Sequence, residues 1–277
     1  MIFDSHLHLV DRARLHYPWL AGFPALDRDW NFADYCATAA RIGISDVLHM
    51  EVDVAETDID AETVWIAELM ALPGSPLRGA ISAARPESAA FDAWLDRVDR
   101  RVVRGVRRVL HVVPDEVSQS DRFRQSLRRL GRAGLPFDIC VLQRQLPLAA
   151  QLVDACPDTV FVLDHCGGPA IRDGGFSDWA ARMSDLALRP QVHVKLSGIT
   201  AYGPPDWTLQ TLRPYLDHLL DSFGPGRMVW GSDSPVCTLH SSLEGWVAAT
   251  QALLHDLAVE ERDLILSQNA RRLWLQA

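Results

Sequence analysis

Along the chain, short apolar runs alternate with stretches in which apolar side chains recur every three to four positions. The first run, Ile2-Phe3-Asp4-Ser5-His6-Leu7-His8, predicts a strand that begins almost at once. Runs of the same kind recur at 44–52, 77–84, 102–113, 135–142, 159–166, 192–196 and 227–231. Between them, helical periodicity covers 32–42, 61–72, 91–98, 120–133, 146–156, 176–188 and 207–222. Two further helices, 243–257 and 260–274, finish the chain. Gly43, Pro73-Gly74, Gly134, Pro157 and Gly224-Pro225-Gly226 stand where helices should stop. The segment 120–133 is the most amphipathic, with Phe123, Leu127 and Leu130 inward and five arginines mostly outward, read as a solvated face.

Eight strands, each followed by a helix or a long loop, imply right-handed crossovers and a parallel sheet. The strands lack a clean apolar/polar alternation, as expected when helices cover their outer faces. No linker divides the units and no internal repeat is visible, so residues 1–277 are expected to form a single domain. At 277 residues and 48% hydrophobic content, a closed (β/α)8 TIM-like barrel is the expected fold. The alternative, an open doubly wound sheet, usually carries a glycine-rich loop after its first strand, where this chain has His6-Leu7-His8. The long aperiodic segment 10–31 is expected over the C-terminal mouth, its aromatics, Trp19 among them, either lining a site or sealing the domain.

The net charge of −9 argues against nucleic acid or an anionic membrane as the main partner. No apolar run approaches the ~20 residues that span a bilayer, and no leader is expected ahead of the first strand. The five cysteines are odd in number and widely spaced, which suits buried free thiols better than a disulfide framework. The expectation is a soluble, reduced, cytoplasmic protein of undetermined oligomeric state.

In a barrel, chemistry sits at the C-terminal strand ends. There the first strand offers His6 and His8, the sixth His165, the seventh Lys195 and Ser197, and the eighth Asp233. By strand alternation Asp4, His6 and His8 should share a face, and strands 1 and 8 are neighbours in a closed barrel. Three histidines and a carboxylate thus make a single-metal site with N and O ligands and room for water. Asp164 should face away from His165, as a buried hydrogen-bonding group; Glu51, ending strand 2, is the rival carboxylate. His193 reads as structural, and His240 follows the Asp233 loop closely enough to reach the pocket.

Several stretches together resemble the amidohydrolase superfamily. They are Phe3-Asp4-Ser5-His6-Leu7-His8, Tyr17-Pro18-Trp19-Leu20, Gly105-Val106-Arg107-Arg108, Leu163-Asp164-His165-Cys166-Gly167-Gly168-Pro169, Val194-Lys195-Leu196-Ser197-Gly198 and Trp230-Gly231-Ser232-Asp233-Ser234-Pro235. Within the superfamily the likeness is to sugar lactonases of the L-fuconolactonase kind, related to pyrone-dicarboxylate lactonase. The resemblance implies a distorted (β/α)8 barrel, hydrolysis at a carbonyl, and the last-strand aspartate, here Asp233, as base. Binuclear members use a carboxylated lysine on strand 4 and histidines on strands 5 and 6. Here strand 4 offers arginines, strand 5 offers Asp138, and His165 alone stands for the pair.

The expected activity is therefore hydrolysis of a small-molecule sugar lactone to its aldonic acid. Asp233 and His165 are the catalytic candidates. His6, His8, His165 and Asp233 would hold one divalent metal, zinc by preference, with metal-independent action as the alternative. Trp19, Arg107 and Lys195 are expected against the substrate. Two other readings remain: a metal-dependent amidohydrolase or decarboxylase acting on a carboxylated ring, and a barrel that binds metal or sugar without turnover.

Overall fold

Eight parallel strands lie side by side in chain order: β1 (Ile2–Leu7), β2 (Ile44–Met50), β3 (Leu77–Ala83), β4 (Val103–Val109), β5 (Phe137–Cys140), β6 (Phe161–Leu163), β7 (Val192–Leu196) and β8 (Met228–Trp230). This computed structural model describes residues 1–276; of the expected domain, only Ala277 lies outside the described residues. The helices are α1 (Phe32–Arg41), α2 (Ile59–Met70), α3 (Phe91–Arg97), α4 (Glu116–Gln119), α5 (Asp121–Arg132), α6 (Leu146–Ala155), α7 (Phe176–Ala187), α8 (Ile199–Tyr202), α9 (Leu209–Phe223), α10 (Leu243–Leu253), α11 (Val259–Asp263) and α12 (Asn269–Leu275). The fold is the expected (β/α)8 TIM-like barrel. Strands 6 and 8 are shorter than the apolar runs that announced them, because the chain leaves the sheet before its polar ends. Among the described residues no helix is long and apolar enough to cross a membrane, and all five cysteines are free.

Two apolar layers build the barrel. The larger packs outward-facing strand residues such as Val47, Val106, Ile139, Leu163 and Trp230 against the helices. The smaller fills the N-terminal end of the interior with Phe3, Leu48, Ile81, Val162 and Val229, closed from below by Ala270 and Trp274 of α12. Towards the C-terminal mouth the interior turns polar, with buried His6, Glu51, Arg107, Asp138, Asp164, Lys195 and Asp233. The 10–31 segment lies at that mouth, as expected. Its Val10, Leu20 and Leu26 bury with Val52, just past β2, and against Val236 and Leu239, just past β8.

The barrel closes differently at one place. Adjacent strands from β1 to β8 form ladders, whereas β8 and β1 share one isolated bridge, Leu7 with Ser234. Two backbone bonds cross the seam, Asp233 N–H to the His6 carbonyl (2.9 Å) and His8 N–H to the Ser234 carbonyl (2.8 Å). Side chains do the rest: Ser5 Oγ donates to the Trp230 carbonyl (2.7 Å), and the Ser232 N–H donates to Asp4 Oδ1 (2.8 Å). The sequence expectation for Asp4 is corrected here. β1 shifts register between Asp4 and Leu7, so strict alternation fails. The Asp4 carboxylate turns to the α1 hydroxyl of Tyr35 (2.6 Å), while His6 enters the interior.

The plug gives a direct test of how the barrel is closed. Trp274 is 1% exposed. Trp274→Ala should cost about 3–5 kcal/mol in urea unfolding, the usual loss for emptying a buried aromatic site. A loss below about 1 kcal/mol, far under that range, would mean that α12 rests on the barrel without filling it.

Candidate active site

The site is assembled where β1 and β8 meet. His6 on β1 and His8 just past its end lie two residues apart, and their Nε2 atoms are 3.2 Å apart. Asp233 Oδ1 completes a triangle, 3.6 Å from His6 Nε2 and 3.5 Å from His8 Nε2. Tetrahedral coordination with zinc–nitrogen bonds near 2.0–2.1 Å places donor atoms about 3.4 Å apart. The triangle has that size. His165 comes from the end of β6, its Nδ1 3.9 Å from Asp233 Oδ2 and 3.1 Å from Ser197 Oγ. Single donor atoms of His6, His165 and Asp233 all lie within 4.8 Å of one another.

Backbone conformation aims these groups. Asp233 (φ 55°), His165 (φ 54°) and Cys166 (φ 55°) are all non-glycine residues in the left-handed region. Such strain persists only where surrounding structure enforces it, and it gathers at functional sites. Two glycines make the space. A Cβ on Gly198 (φ +62°) would stand 2.4 Å from His165 Nδ1, and one on Gly231 would stand 2.6 Å from His6 Cβ. The missing side chain of Gly231 is thus the room that His6 occupies.

Beneath the triangle lies a network of buried charge. Arg107 Nε donates to Glu51 Oε1 (2.6 Å), and its Nη2 donates to the Glu51 carbonyl (2.7 Å). The same guanidinium reaches Asp164 Oδ2 at 3.3 Å and His6 Nε2 at 3.4 Å. Lys195 Nζ lies between Asp138 Oδ2 (2.5 Å) and Asp164 Oδ1 (2.9 Å), and 3.3 Å from His6 Nδ1. Asp164 thus points into the interior as the hub of this network. Lys195 has no exposed surface and meets the site through His6. Trp19 stands beside His8 and Pro235, its Nε1 donating to the Val52 carbonyl (2.7 Å) and its ring edge-on to Phe23.

Burial and pairing set the charge states. Burial lowers the pKa of His6, His8 and His165, that of His8 to about 3, so all three are neutral near pH 7. His8 Nδ1 lies 3.0 Å from the Met50 carbonyl, which can only accept, so Nε2 presents its lone pair to the triangle. Burial would raise Glu51, but the Arg107 charge outweighs it and holds the carboxylate low. Burial likewise opposes the ionisation of Asp164, and Lys195 overrides it. Asp233 has no Arg or Lys at ion-pair distance among the described residues, and burial pushes it up to about 6. Glu51 and Asp164 are thus held ionised against Arg107 and Lys195, while burial pushes Asp138 up to about 7. Neutral imidazoles, a carboxylate and matching spacing all fit a divalent cation. A second grouping, Cys140, Asp164 and His165, fits less well, because the Arg107 charge bears on Cys140 and on Asp164.

Sequence reasoning did not single out the Arg107–Glu51 pairing, the Asp138–Lys195–Asp164 triad or Tyr202, whose ring lies 6.1 Å from that of His165. Charges at alternate positions of otherwise apolar strands were the available signal. Of the other histidines, His49 pairs with Glu62 (3.1 Å) on the far side of β2. His240 packs against Arg172 and the Thr200 carbonyl.

Comparison with known proteins gives a consistent picture. The family model described as Amidohydrolase matches residues 3–275. An L-fucono-1,5-lactonase of Burkholderia ambifaria is 34% identical over 85% of this chain and 81% of its own length. The crystal structure of an amidohydrolase from Burkholderia multivorans with bound zinc superposes with a TM-score of 0.89 at 25% identity, covering 99% of this chain and 98% of that one. A candidate 2-pyrone-4,6-dicarboxylic acid hydrolase from Pseudomonas putida has a TM-score of 0.77 at 26% identity, covering 98% and 96%.

The glycine contact at the seam yields a prediction that needs no knowledge of the substrate. Gly231→Ala should destabilise the protein by about 1–3 kcal/mol, as overpacking does, measured by urea unfolding. An unchanged midpoint would show that β8 can move away from His6.

Proposed function

Because the chain belongs to the amidohydrolase family, we propose that this hydrolase, which acts on a cyclic ester, opens a sugar lactone of the L-fucono-1,5-lactone class to its aldonic acid. The observation that carries the reading is the triangle of His6, His8 and Asp233 with His165 beside it, supported by the similarity to a named lactonase. His6, His8, His165 and Asp233 would hold one divalent ion, zinc by preference. Such an ion would polarise the lactone carbonyl and lower the pKa of water.

The chain's own residues account for proton movement and charge. Asp233 Oδ takes the proton from the attacking water, and the same carboxyl then returns it to the departing ring oxygen. Burial alone pushes this carboxyl up to about 6, and a cation bound beside it would draw it down and keep it ionised as the base. Neutral His165 hydrogen-bonds the substrate oxygen on the side opposite β1. Arg107, locked by Glu51 and Asp164, supplies fixed positive charge where the tetrahedral oxyanion develops. Trp19 offers a ring face to the sugar, and Lys195 acts from beneath through His6.

The candidate pyrone-dicarboxylate hydrolase among the structural neighbours favours a second reading, a carboxylated ring as substrate. Two substrate carboxylates would call for free guanidinium groups. At the ends of β3 and β4, however, Arg107 pairs with Glu51, Arg108 with Glu87 (3.0 Å), and Arg85 approaches Asp53 and Glu56. A neutral polyol lactone suits these paired cations better.

A panel of aldonolactones, followed by acid release with a pH indicator, tests the substrate class. Asp233→Asn should lower turnover by ~10²–10⁴-fold, the usual worth of general acid–base catalysis. Retention of more than about a tenth of the rate, outside that range, would place the base elsewhere. The base must be ionised, so kcat/KM should fall at acid pH, below about 6 in the ion-free protein and lower once a cation rests on the carboxylate; a profile with no acid limb in either form would contradict the assignment. Elemental analysis should find about one divalent ion per chain, as a single set of four ligands implies; two tightly held ions would overturn the single-ion site.

A further inference from the structure

The ion-site triangle spans the one place in the barrel where the strands are not laddered. His6 rides on β1, His8 just past its end and Asp233 on the turn after β8, and a slip of one strand past the other would open the 3.6 Å spacing between His6 and Asp233. One side chain grips both. Asp4 Oδ1 accepts from the N–H of His6 (3.1 Å) and from the N–H of Ser232 (2.8 Å), while Oδ2 accepts from Tyr35 Oη (2.6 Å). The two N–H groups belong to His6 itself and to the residue before Asp233. The carboxylate has no exposed surface, and no Arg or Lys pairs with it among the described residues.

From this geometry we propose that Asp4 is a positioning residue, oriented by Tyr35, that fixes His6 and Asp233 relative to one another across the open seam. The proposal rests on the ion-site reading above for its main assay. It also has a consequence independent of it. The register shift in β1 turns Asp4 towards α1, and from there one oxygen reaches back to its own strand and across to the next. Both ligands then refer to a common point that Tyr35 holds still. Partners that orient a ligand without touching the ion set its affinity by fixing direction and distance.

The test uses Asp4→Ala, Asp4→Asn and Tyr35→Phe in the full chain, with folding checked by near-ultraviolet circular dichroism. Zinc affinity is measured by competition with a chromophoric chelator. Asp4→Ala should bind zinc about 10–100-fold more weakly, Asp4→Asn, whose side-chain oxygen keeps both N–H bonds, within about threefold of wild type, and Tyr35→Phe between them. A folded Asp4→Ala with wild-type affinity overturns the proposal, as does an Asp4→Asn that loses as much as Ala. Should Asp4→Ala not fold, the order wild type, Asp4→Asn, Tyr35→Phe carries the same comparison, and equal affinity in all three refutes it. Amide hydrogen exchange over residues 231–235 is read in parallel. It should quicken in Tyr35→Phe and Asp4→Ala but not in Asp4→Asn; unchanged exchange overturns the proposal even if wild type takes up no zinc, an outcome that would itself sink only the ion-site reading.

Discussion

Charge buried inside the barrel is the constraint on which the rest depends. An unpaired ion in a dry interior is costly, and its attraction to a partner offsets that cost only when the geometry is good. The structure meets this with a chain of alternating sign, Glu51 to Arg107 to Asp164 to Lys195 to Asp138, running through strands 2, 4, 6, 7 and 5. Removing any one member strands a charge on its neighbour, so the set works as a unit and holds five strand ends at fixed spacing. His6 sits on top of it, 3.3 Å from Lys195 and 3.4 Å from Arg107. Burial, with Lys195 beside the ring, keeps that imidazole neutral, the form in which it can donate a lone pair. The apolar plug of Phe3, Val162 and Trp274 below keeps this network away from water at the other end.

Rigidity below permits strain above. Asp233 and His165 adopt left-handed backbone conformations that aspartate and histidine seldom hold outside turns. His165 is pressed against a position where a side chain has been left out, Gly198, and His6 against another, Gly231. The irregular seam belongs to the same arrangement. Had β8 continued in ladder with β1, the Asp233 side chain would have been bound to strand alternation, and its approach to His6 and His8 at once would have been lost.

Most of the architecture was legible in the sequence, because buried parallel strands and amphipathic helices leave plain periodic traces. Glycine or proline at helix ends marked the boundaries to within a few residues, as at 32–42 against Phe32–Arg41. The strand ends bearing His6, His8, His165 and Asp233 were legible too, since polar residues there interrupt apolar runs. Alternation misled at Asp4, because a register shift leaves no mark in composition. The pairing of Lys195 with Asp138 and Asp164 joins three strands distant in sequence, and no local pattern encodes which cation meets which carboxylate. That the space left by Gly231 belongs to His6 is a tertiary fact.

Several carboxylates crowd this site, and the proposal of Asp233 as base follows from what already claims each of the others. Glu51 is held ionised by Arg107 and gives an oxygen to the Asp53 N–H (2.7 Å). Asp164 is shared by Lys195 and Arg107, so its proton affinity is too low for it to take a proton from water. Asp138 is pushed up by burial, but it is fully enclosed against Lys195 and has no path to a ligand at the mouth. Asp4 spends both oxygens on His6, Ser232 and Tyr35. Asp233 alone has no cationic side chain bound to it, a raised proton affinity, and neighbours limited to neutral imidazoles. Pairing therefore does more than stabilise the barrel: by committing every other carboxylate it leaves one whose protonation can change during a reaction.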